Sequence, residues 1–172
     1  MNLRNMAAVY IFHENQVLLM RKTSSRIFTK RSAVLWTAIG GHFENDELNN
    51  PEACVIRELF EETALQEADI KNLALRYLII TIKDTEIRQQ YIYFADLANT
   101  DAVLRNCDEG ELHWIKIEDI FNLEMSVSNT QCLRHYFNTG RRDNCIYVGV
   151  TKVDNNIPQV VFTPLQDFAR KY

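Results

Sequence analysis

One strongly amphipathic segment, residues 51–64, has the pattern of a helix and separates two groups of apolar runs with the composition of β-strands. Asn49 or Asn50 can cap this segment, and Pro51 falls in the first turn, where proline is tolerated. Three strand-like runs precede it and three follow it, so the chain lacks a regular alternation of strand and helix. This order predicts an α+β domain or an α/β/α sandwich, in either case with a mixed central β-sheet.

The predicted strands are rich in β-branched and aromatic residues, and they cover residues 7–12, 16–21, 35–39, 73–81, 87–97, 111–117, 145–153 and 159–163. Shorter helical stretches are expected at 118–123 and 129–137, and a polar, basic loop at 22–33. We interpret residues 1–140 as one domain and residues 141–172 as a C-terminal β-hairpin extension packed on it. A free hairpin edge can pair with a second copy, so a homodimer and a core-covering hairpin are alternatives.

Composition limits the functions open to this chain. Its 172 residues, 47% of them hydrophobic, suffice for a buried core. The formal net charge of −4 opposes general binding to duplex DNA, which requires phosphate neutralisation. No apolar run approaches the ~20 residues that span a membrane, and four widely spaced cysteines are typical of free thiols in a reducing compartment. We therefore expect a soluble cytoplasmic protein that acts without a membrane.

Three glutamates crowd one side of the predicted helix. At 100° per residue, Glu58, Glu61 and Glu62 fall within an arc of about 100°, beside the apolar stripe, and we expect this carboxylate face to need no burial. Like charges at these spacings cost a few tenths of a kcal/mol per pair. A hard divalent cation such as Mg²⁺ would offset that cost, because it prefers carboxylate oxygens. The alternative is a solvated acidic face, with Arg57 paired to Glu61.

The preceding segment favours the metal site. Gly40 and Gly41 end a predicted strand, where the backbone can approach a ligand closely. A loop bearing Glu44, Asp46 and Glu47 then leads into the helix. A strand, a double glycine, an acidic loop and an acidic helix together indicate phosphate chemistry that depends on Mg²⁺.

This segment resembles the Nudix box, G-x5-E-x7-R-E-U-x-E-E-x-G-U, in which U is aliphatic. Gly41 and Glu47 match its first half, and residues 57–62 match its second half. Nine residues rather than seven separate Glu47 from the arginine, which indicates a two-residue insertion near residues 48–50. Ala64 stands where the box has glycine and is expected to tighten or extend the helix end.

The resemblance covers roughly residues 6–137 and is greatest to the MutT-type branch, which includes 8-oxo-dGTP diphosphatases. It implies hydrolysis of a nucleoside diphosphate linked to a group X, foremost a normal or oxidised nucleoside triphosphate, to the monophosphate and pyrophosphate. ADP-ribose, a dinucleotide or a capped RNA end are alternative substrates. A catalytically silent module that senses nucleotides is the alternative from another class.

The resemblance also implies roles for individual residues. The ligands of Mg²⁺, or of Mn²⁺, would be the carbonyl of Gly40 and the side chains of Glu58, Glu61 and Glu62. Arg57 and Glu47 would orient the helix and the loop. Glu58 is the first choice for the base that takes a proton from water, and Glu109 is the second. An ordinary solvated loop charge is the alternative for Glu109.

Five cations within eleven residues form a candidate phosphate-binding surface on this acidic chain: Arg21, Lys22, Arg26, Lys30 and Arg31. An ordinary solvated loop is the alternative. Arg21 and Lys22 are the preferred candidates, because they lie at a strand end and a rigid element aims a side chain better than a loop tip.

The base of the nucleotide has weaker candidates. Trp36, Phe28 and Tyr91 can stack on a base, although such aromatics more often belong to a core. Asn129, beside Ser128, lies where the resemblance implies a polar residue that reads the base edge. Asn129 can instead cap the helix that follows, and we prefer that interpretation.

Overall fold

The computed structural model describes residues 1–23 and 34–167. The strands are β1 Asn2–His13, β2 Gln16–Thr23, β3 Val34–Thr37, β4 Ile39–His42, β5 Ile70–Lys83, β6 Glu86–Leu97, β7 Glu111–Lys116, β8 Tyr147–Asp154 and β9 Ile157–Pro164. The α-helices are α1 Pro51–Thr63 and α2 Val127–Asn138, and short 3₁₀ helices are Asn45–Glu47, Glu67–Asp69, Ile117–Asn122 and Gly140–Arg142. The predicted helical stretch 118–123 is therefore 3₁₀ rather than α.

The described strands form one sheet in the order β3-β2-β1-β6-β5-β8-β9, with β4 also paired to β1 and β7 to β2. β1 pairs with β6 in parallel, and so does β5 with β8, whereas the other pairs are antiparallel. The mixed sheet confirms the predicted α+β class.

Each face of the sheet carries its own core, because side chains alternate between the faces along a strand. In β2, Leu18 and Met20 belong to the core that α1 covers, which we call the α1 face. Val17 and Leu19 belong to the core that α2 covers, the α2 face. The structure thus has the predicted three layers of helix, sheet and helix.

The double glycine lies inside a strand rather than at its end. The predicted strand 35–39 is two strands, since β3 ends at Thr37 and β4 pairs antiparallel with β1 through Gly40 and Gly41. Gly40 has φ of 151°, and a Cβ there would meet the backbone carbonyl of Ala7. Glycine is therefore required for β4 to approach β1 this closely. The predicted loop 22–33 starts two residues late, because Lys22 and Thr23 continue β2; residues 24–33 lie outside the described residues.

Both ends of α1 have identifiable caps. The side chain of Asn50 accepts a hydrogen bond from the Ala53 N–H at 3.3 Å. Ala64 adopts φ of 64° and donates its N–H to the Phe60 carbonyl at 2.9 Å. The helix therefore ends at Thr63, and the expectation that Ala64 tightens or extends it is wrong, because the alanine accepts the left-handed turn.

Ala64→Gly should stabilise the protein by about 0.5–1 kcal/mol. Glycine removes the left-handed penalty of roughly 1–2 kcal/mol and loses part of that gain to chain entropy. Urea denaturation measures the change. Ala53→Gly, the same substitution inside α1, is the control and should destabilise by about 0.5–1 kcal/mol. Equal losses for the two variants would contradict a strained turn at Ala64.

The C-terminal hairpin continues the sheet, because β8 pairs with β5 and β9 pairs with β8. From α2, the Gln131 side chain accepts the Val160 N–H at 2.6 Å and donates to the Pro158 carbonyl at 3.4 Å. These bonds cover part of the outer edge of β9. Within residues 1–23 and 34–167, no helix combines the length and the apolar character needed to cross a membrane.

Candidate active site

Arg57, at the centre of α1, ties the helix to the loop before it. Its Nε and Nη2 donate to the two carboxylate oxygens of Glu47 at 2.7 and 3.0 Å. Its Nη1 donates to Glu58 at 2.8 Å and to Glu61 at 2.9 Å. Nη2 also reaches the His42 carbonyl at 2.9 Å. One guanidinium therefore sets the positions of the β4 end, the loop and two helix carboxylates.

Glu47 is buried, so its charge depends on this partner. Hydrogen bonds from Arg57 lower the pKa of Glu47 to about 2, against the opposing effect of burial, and the Glu44 N–H contributes a further bond at 2.8 Å. The same pairing raises the pKa of Arg57. Both groups therefore stay charged near neutral pH, which supports the predicted orienting role of the pair.

Glu62 is the most buried of the helix carboxylates, with 3% of its surface exposed. Its Oε2 accepts the Gly40 N–H at 2.8 Å. Its Oε1 is inaccessible and receives no hydrogen bond from any residue that the structure describes. Lys22 Nζ lies 3.6 Å from this oxygen and 2.6 Å from Oε2 of Glu109. Two strands, a loop and the helix therefore meet at Glu62.

Burial and ion pairing together determine the pKa values of Glu62, Lys22 and Glu109. Burial raises the pKa of Glu62 to about 7, and it outweighs the attraction of Lys22 and the Gly40 N–H. Partial burial lowers the pKa of Lys22. The carboxylates of Glu109 and Glu62 raise it by more, so the lysine pKa lies above its usual value. The hydrogen bond from Lys22 lowers the pKa of Glu109.

Glu58 packs against the double glycine. A Cβ on Gly41 would collide with the Glu58 carboxylate in its present position, so glycine at residue 41 lets this carboxylate lie against the strand. Burial raises the pKa of Glu58 against the pull of Arg57. The expectation that the carboxylate face needs no burial is wrong for Glu58 and Glu62, because β4 covers them. Glu61 alone fits it, with 53% of its side chain exposed.

The side chains present fit a hard divalent cation by their chemistry. A cavity of about 470 Å³ opens beside them, and Gly40, Glu58 and Glu109 are among its lining residues. Glu62 Oε1 is a buried carboxylate oxygen without a hydrogen bond, which is the kind of ligand such an ion takes. Within the described part of the chain, no three acidic, histidine or cysteine side chains already converge closely enough to hold an ion. Three of these side chains would hold one ion together only after side-chain movement.

The two preferred cations lie on opposite faces of the sheet. Lys22 joins the carboxylates on the α1 face, whereas Arg21 pairs with Glu111 at 3.1 Å. Trp36 is the strand partner of Arg21, and its ring meets His113 edge to face at 5.3 Å. The structure therefore does not bring Arg21 or Trp36 to the carboxylates. Arg26, Lys30, Arg31 and Phe28 lie outside the described residues.

Asn129 does not cap α2. Ser126 is the cap, since its hydroxyl accepts the Asn129 N–H at 3.2 Å, and the preferred interpretation of Asn129 is wrong because the helix begins earlier than predicted. The freed Asn129 amide faces Thr37 Oγ1 at 3.4 Å. Tyr91 packs on Phe43, 5.4 Å between ring centroids, against the α1 core.

Sequence reasoning missed a small cavity that lies beside the carboxylate cavity. Its volume is about 60 Å³, and Thr37, Gly40, Gln90 and Asn129 contribute to its lining. The one sequence signal for this cavity is Gln90, a polar residue directly before the apolar run of β6. The folded strand places Gln90 in the cavity lining. Gly40 also borders the carboxylate cavity, so the two spaces are neighbours.

A three-layer sandwich that places a glutamate-rich helix against a double-glycine strand fits the Nudix class of hydrolases. The NUDIX domain family model matches residues 1–136, and the chain belongs to this family. As a Nudix hydrolase it acts on diphosphate bonds. Nudix hydrolases use divalent metal ions and act on nucleotide substrates.

Several solved structures have the same fold. The mutator MutT protein from Bacillus halodurans is 18% identical, with a TM-score of 0.66 over 94% of this chain and 97% of that one. A NUDIX hydrolase from Nitrosomonas europaea is 18% identical, with a TM-score of 0.68 over 87% and 79%. A C. elegans Ap4A hydrolase is 15% identical, with a TM-score of 0.62 over 80% and 96%. At these identities the likeness concerns the fold.

Proposed function

We propose that this chain hydrolyses a nucleoside triphosphate, normal or oxidised, to the nucleoside monophosphate and pyrophosphate, with Mg²⁺ or Mn²⁺ as its metal. The observation that carries this proposal is a cavity lined by Glu58, Glu109 and Lys22, with Lys22 also contacting a buried Glu62 oxygen that lacks a hydrogen bond. A solvated acidic face would have no reason to bury that oxygen, since burying an unpaired polar atom is costly.

The metal would be held by Glu58, Glu61, Glu62 and the Gly40 carbonyl. Glu109 lies near this set, because Lys22 contacts both Glu109 and Glu62. When bound, the ion neutralises charge on the phosphates and makes a water more acidic. The chain positions these groups through Arg57, which holds Glu58 and Glu61 at hydrogen-bonding distance. Glu61 can take part in metal binding although its side chain is exposed.

Glu58 accepts the proton of the attacking water in this proposal. Its carboxylate lies on the cavity wall, and burial raises its pKa towards the range where a carboxylate is an effective base. Glu109 is the second candidate, although its bond to Lys22 lowers its pKa and makes it the weaker base. Lys22 reaches the same cavity and can contact a phosphate oxygen once it leaves the carboxylates.

The small cavity beside Gly40 favours recognition of a base edge. Asn129 and Gln90 provide amide groups there, and each amide offers both donors and acceptors. A volume of about 60 Å³ equals roughly two water molecules, so it accepts the edge of a base rather than a whole ring. A dinucleotide or ADP-ribose substrate is the second candidate, because an Ap4A hydrolase has the same fold.

A hydrolysis panel tests the proposal. Normal and oxidised nucleoside triphosphates, ADP-ribose and dinucleotides are incubated with Mg²⁺ or with EDTA, and the products are separated by chromatography. We expect a nucleoside monophosphate and pyrophosphate, formed only with the metal. Release of single orthophosphate would place the attack elsewhere, and turnover confined to ADP-ribose or dinucleotides would favour the second candidate. Binding without turnover of any substrate would indicate a sensing module.

A further inference from the structure

Lys22 lies between the carboxylates of Glu62 and Glu109, where a counter-charge is needed. Its ammonium nitrogen lies 2.6 Å from Glu109 and 3.6 Å from the otherwise unpaired oxygen of Glu62. The lysine side chain is three-quarters buried, and Glu62 is almost fully buried. No other lysine, arginine or histidine among the described residues forms an ion pair with Glu62 or Glu109.

A buried carboxylate without a counter-charge is costly, because the protein interior solvates it poorly. Arg57 meets this need for Glu47, Glu58 and Glu61, and it does not reach Glu62. Within residues 1–23 and 34–167, Lys22 is the only residue that forms ion pairs with Glu62 and Glu109, which lie on different elements. It comes from the end of β2, where the strand fixes its direction.

We propose that Lys22 is a built-in counter-cation of the metal-free site, and that a divalent metal must displace its ammonium from Glu62 and Glu109 in order to bind. This inference rests on the proposed function, since it assumes that these carboxylates take the metal. An ammonium and a metal ion that contact the same carboxylates repel each other, so each weakens the binding of the other. The lysine therefore keeps the empty site folded and at the same time weakens metal binding.

Lys22 therefore has a positioning role, and its ammonium has two positions, one without metal and one with metal. Without metal, its ammonium joins β2, the Glu109 loop and α1. With metal, the ammonium is released at the cavity, where an anionic phosphate is its natural partner. Arrival of the metal thus frees a cation for the substrate at the moment when substrate can react.

The experiment measures Mn²⁺ binding to the substrate-free protein, by calorimetry and by the electron paramagnetic resonance signal of free Mn²⁺. Lys22→Met should bind Mn²⁺ about tenfold more tightly than the wild type, because nothing has to be displaced. Arg21→Met is the matched control. It removes the neighbouring cation, which pairs with Glu111 on the other face, and it should leave the Mn²⁺ affinity unchanged.

Thermal unfolding provides the second readout. Lys22→Met should melt below the wild type in EDTA, and saturating Mn²⁺ should raise its melting temperature more than that of the wild type. Lys22→Gln keeps a donor for Glu109 without the charge and should show the same pattern if Lys22→Met folds poorly. Both variants having equal or weaker Mn²⁺ affinity than the wild type would overturn the inference and leave the proposed metal site intact. A wild type that binds no Mn²⁺ would overturn both.

Discussion

Glu58→Gln should lower kcat by about 10²–10⁴-fold, the usual contribution of a general base. The amide keeps the shape of the side chain against Gly41 but cannot take a proton from water. Steady-state kinetics at saturating Mg²⁺ measures the loss, and thermal unfolding checks that the variant is folded.

The matched control is Glu52→Gln, at the exposed start of the same helix, and its kcat should equal that of the wild type. Retention of more than about a tenth of wild-type kcat by Glu58→Gln would remove Glu58 as the base. Glu109→Gln then tests the second candidate.

Arg57→Ala should cost about 3–5 kcal/mol of unfolding free energy, because it leaves the buried Glu47 carboxylate without its partner. For a chain of this size, the melting temperature should fall on the order of 10 °C. Turnover should fall as well, since Glu58 and Glu61 lose the group that holds them. Chemical denaturation and calorimetry measure the change.

The pH dependence of that loss separates the ion pair from simple packing. A carboxyl with a lowered pKa stabilises the fold fully above its unfolded value, here 4.5, and loses this contribution as the pH falls through its folded value, here about 2. The stability difference between wild type and Arg57→Ala should therefore narrow from pH 4.5 down to pH 2. A constant difference over this window would contradict the pairing with Glu47.

Arg88→Ala is the matched control for Arg57→Ala. Arg88 donates to one oxygen of Glu86 at 2.8 and 3.0 Å, and this carboxylate is more exposed than that of Glu47, 23% against 7% of the side chain. Such pairs contribute about 1 kcal/mol or less, because water screens them. A comparable loss of unfolding free energy in both variants would show that burial of Glu47 contributes little to the effect of Arg57→Ala.

Local sequence signals identified the helix that bears the carboxylates. Asn50 and Pro51 mark its start, and the 3.6-residue period places the glutamates on one side of α1. These features depend on residues a few positions apart, so they are legible without the rest of the fold. The spacing of glycine, arginine and glutamates also sufficed to indicate the family that the NUDIX domain match shows.

Helix periodicity cannot give the burial of those glutamates. Glu58 and Glu62 are buried and Glu61 is half exposed because β4 pairs with β1 and brings Gly40 and Gly41 over one edge of α1. That pairing joins segments about thirty residues apart, and its closeness depends on the missing Cβ atom of Gly40. The helical wheel fixes an angle but no distance to the sheet.

Sequence alone determined the two layers of helix around a mixed sheet, the acidic helix and the double glycine, because each is encoded by local periodicity and residue type. Tertiary structure alone decided that Lys22 rather than Arg21 meets the carboxylates. The two are adjacent in β2 and equally cationic, and the alternation of strand side chains sends them to opposite faces. The partner of Lys22, Glu109, is 87 residues away, and only the folded sheet brings the two within 2.6 Å.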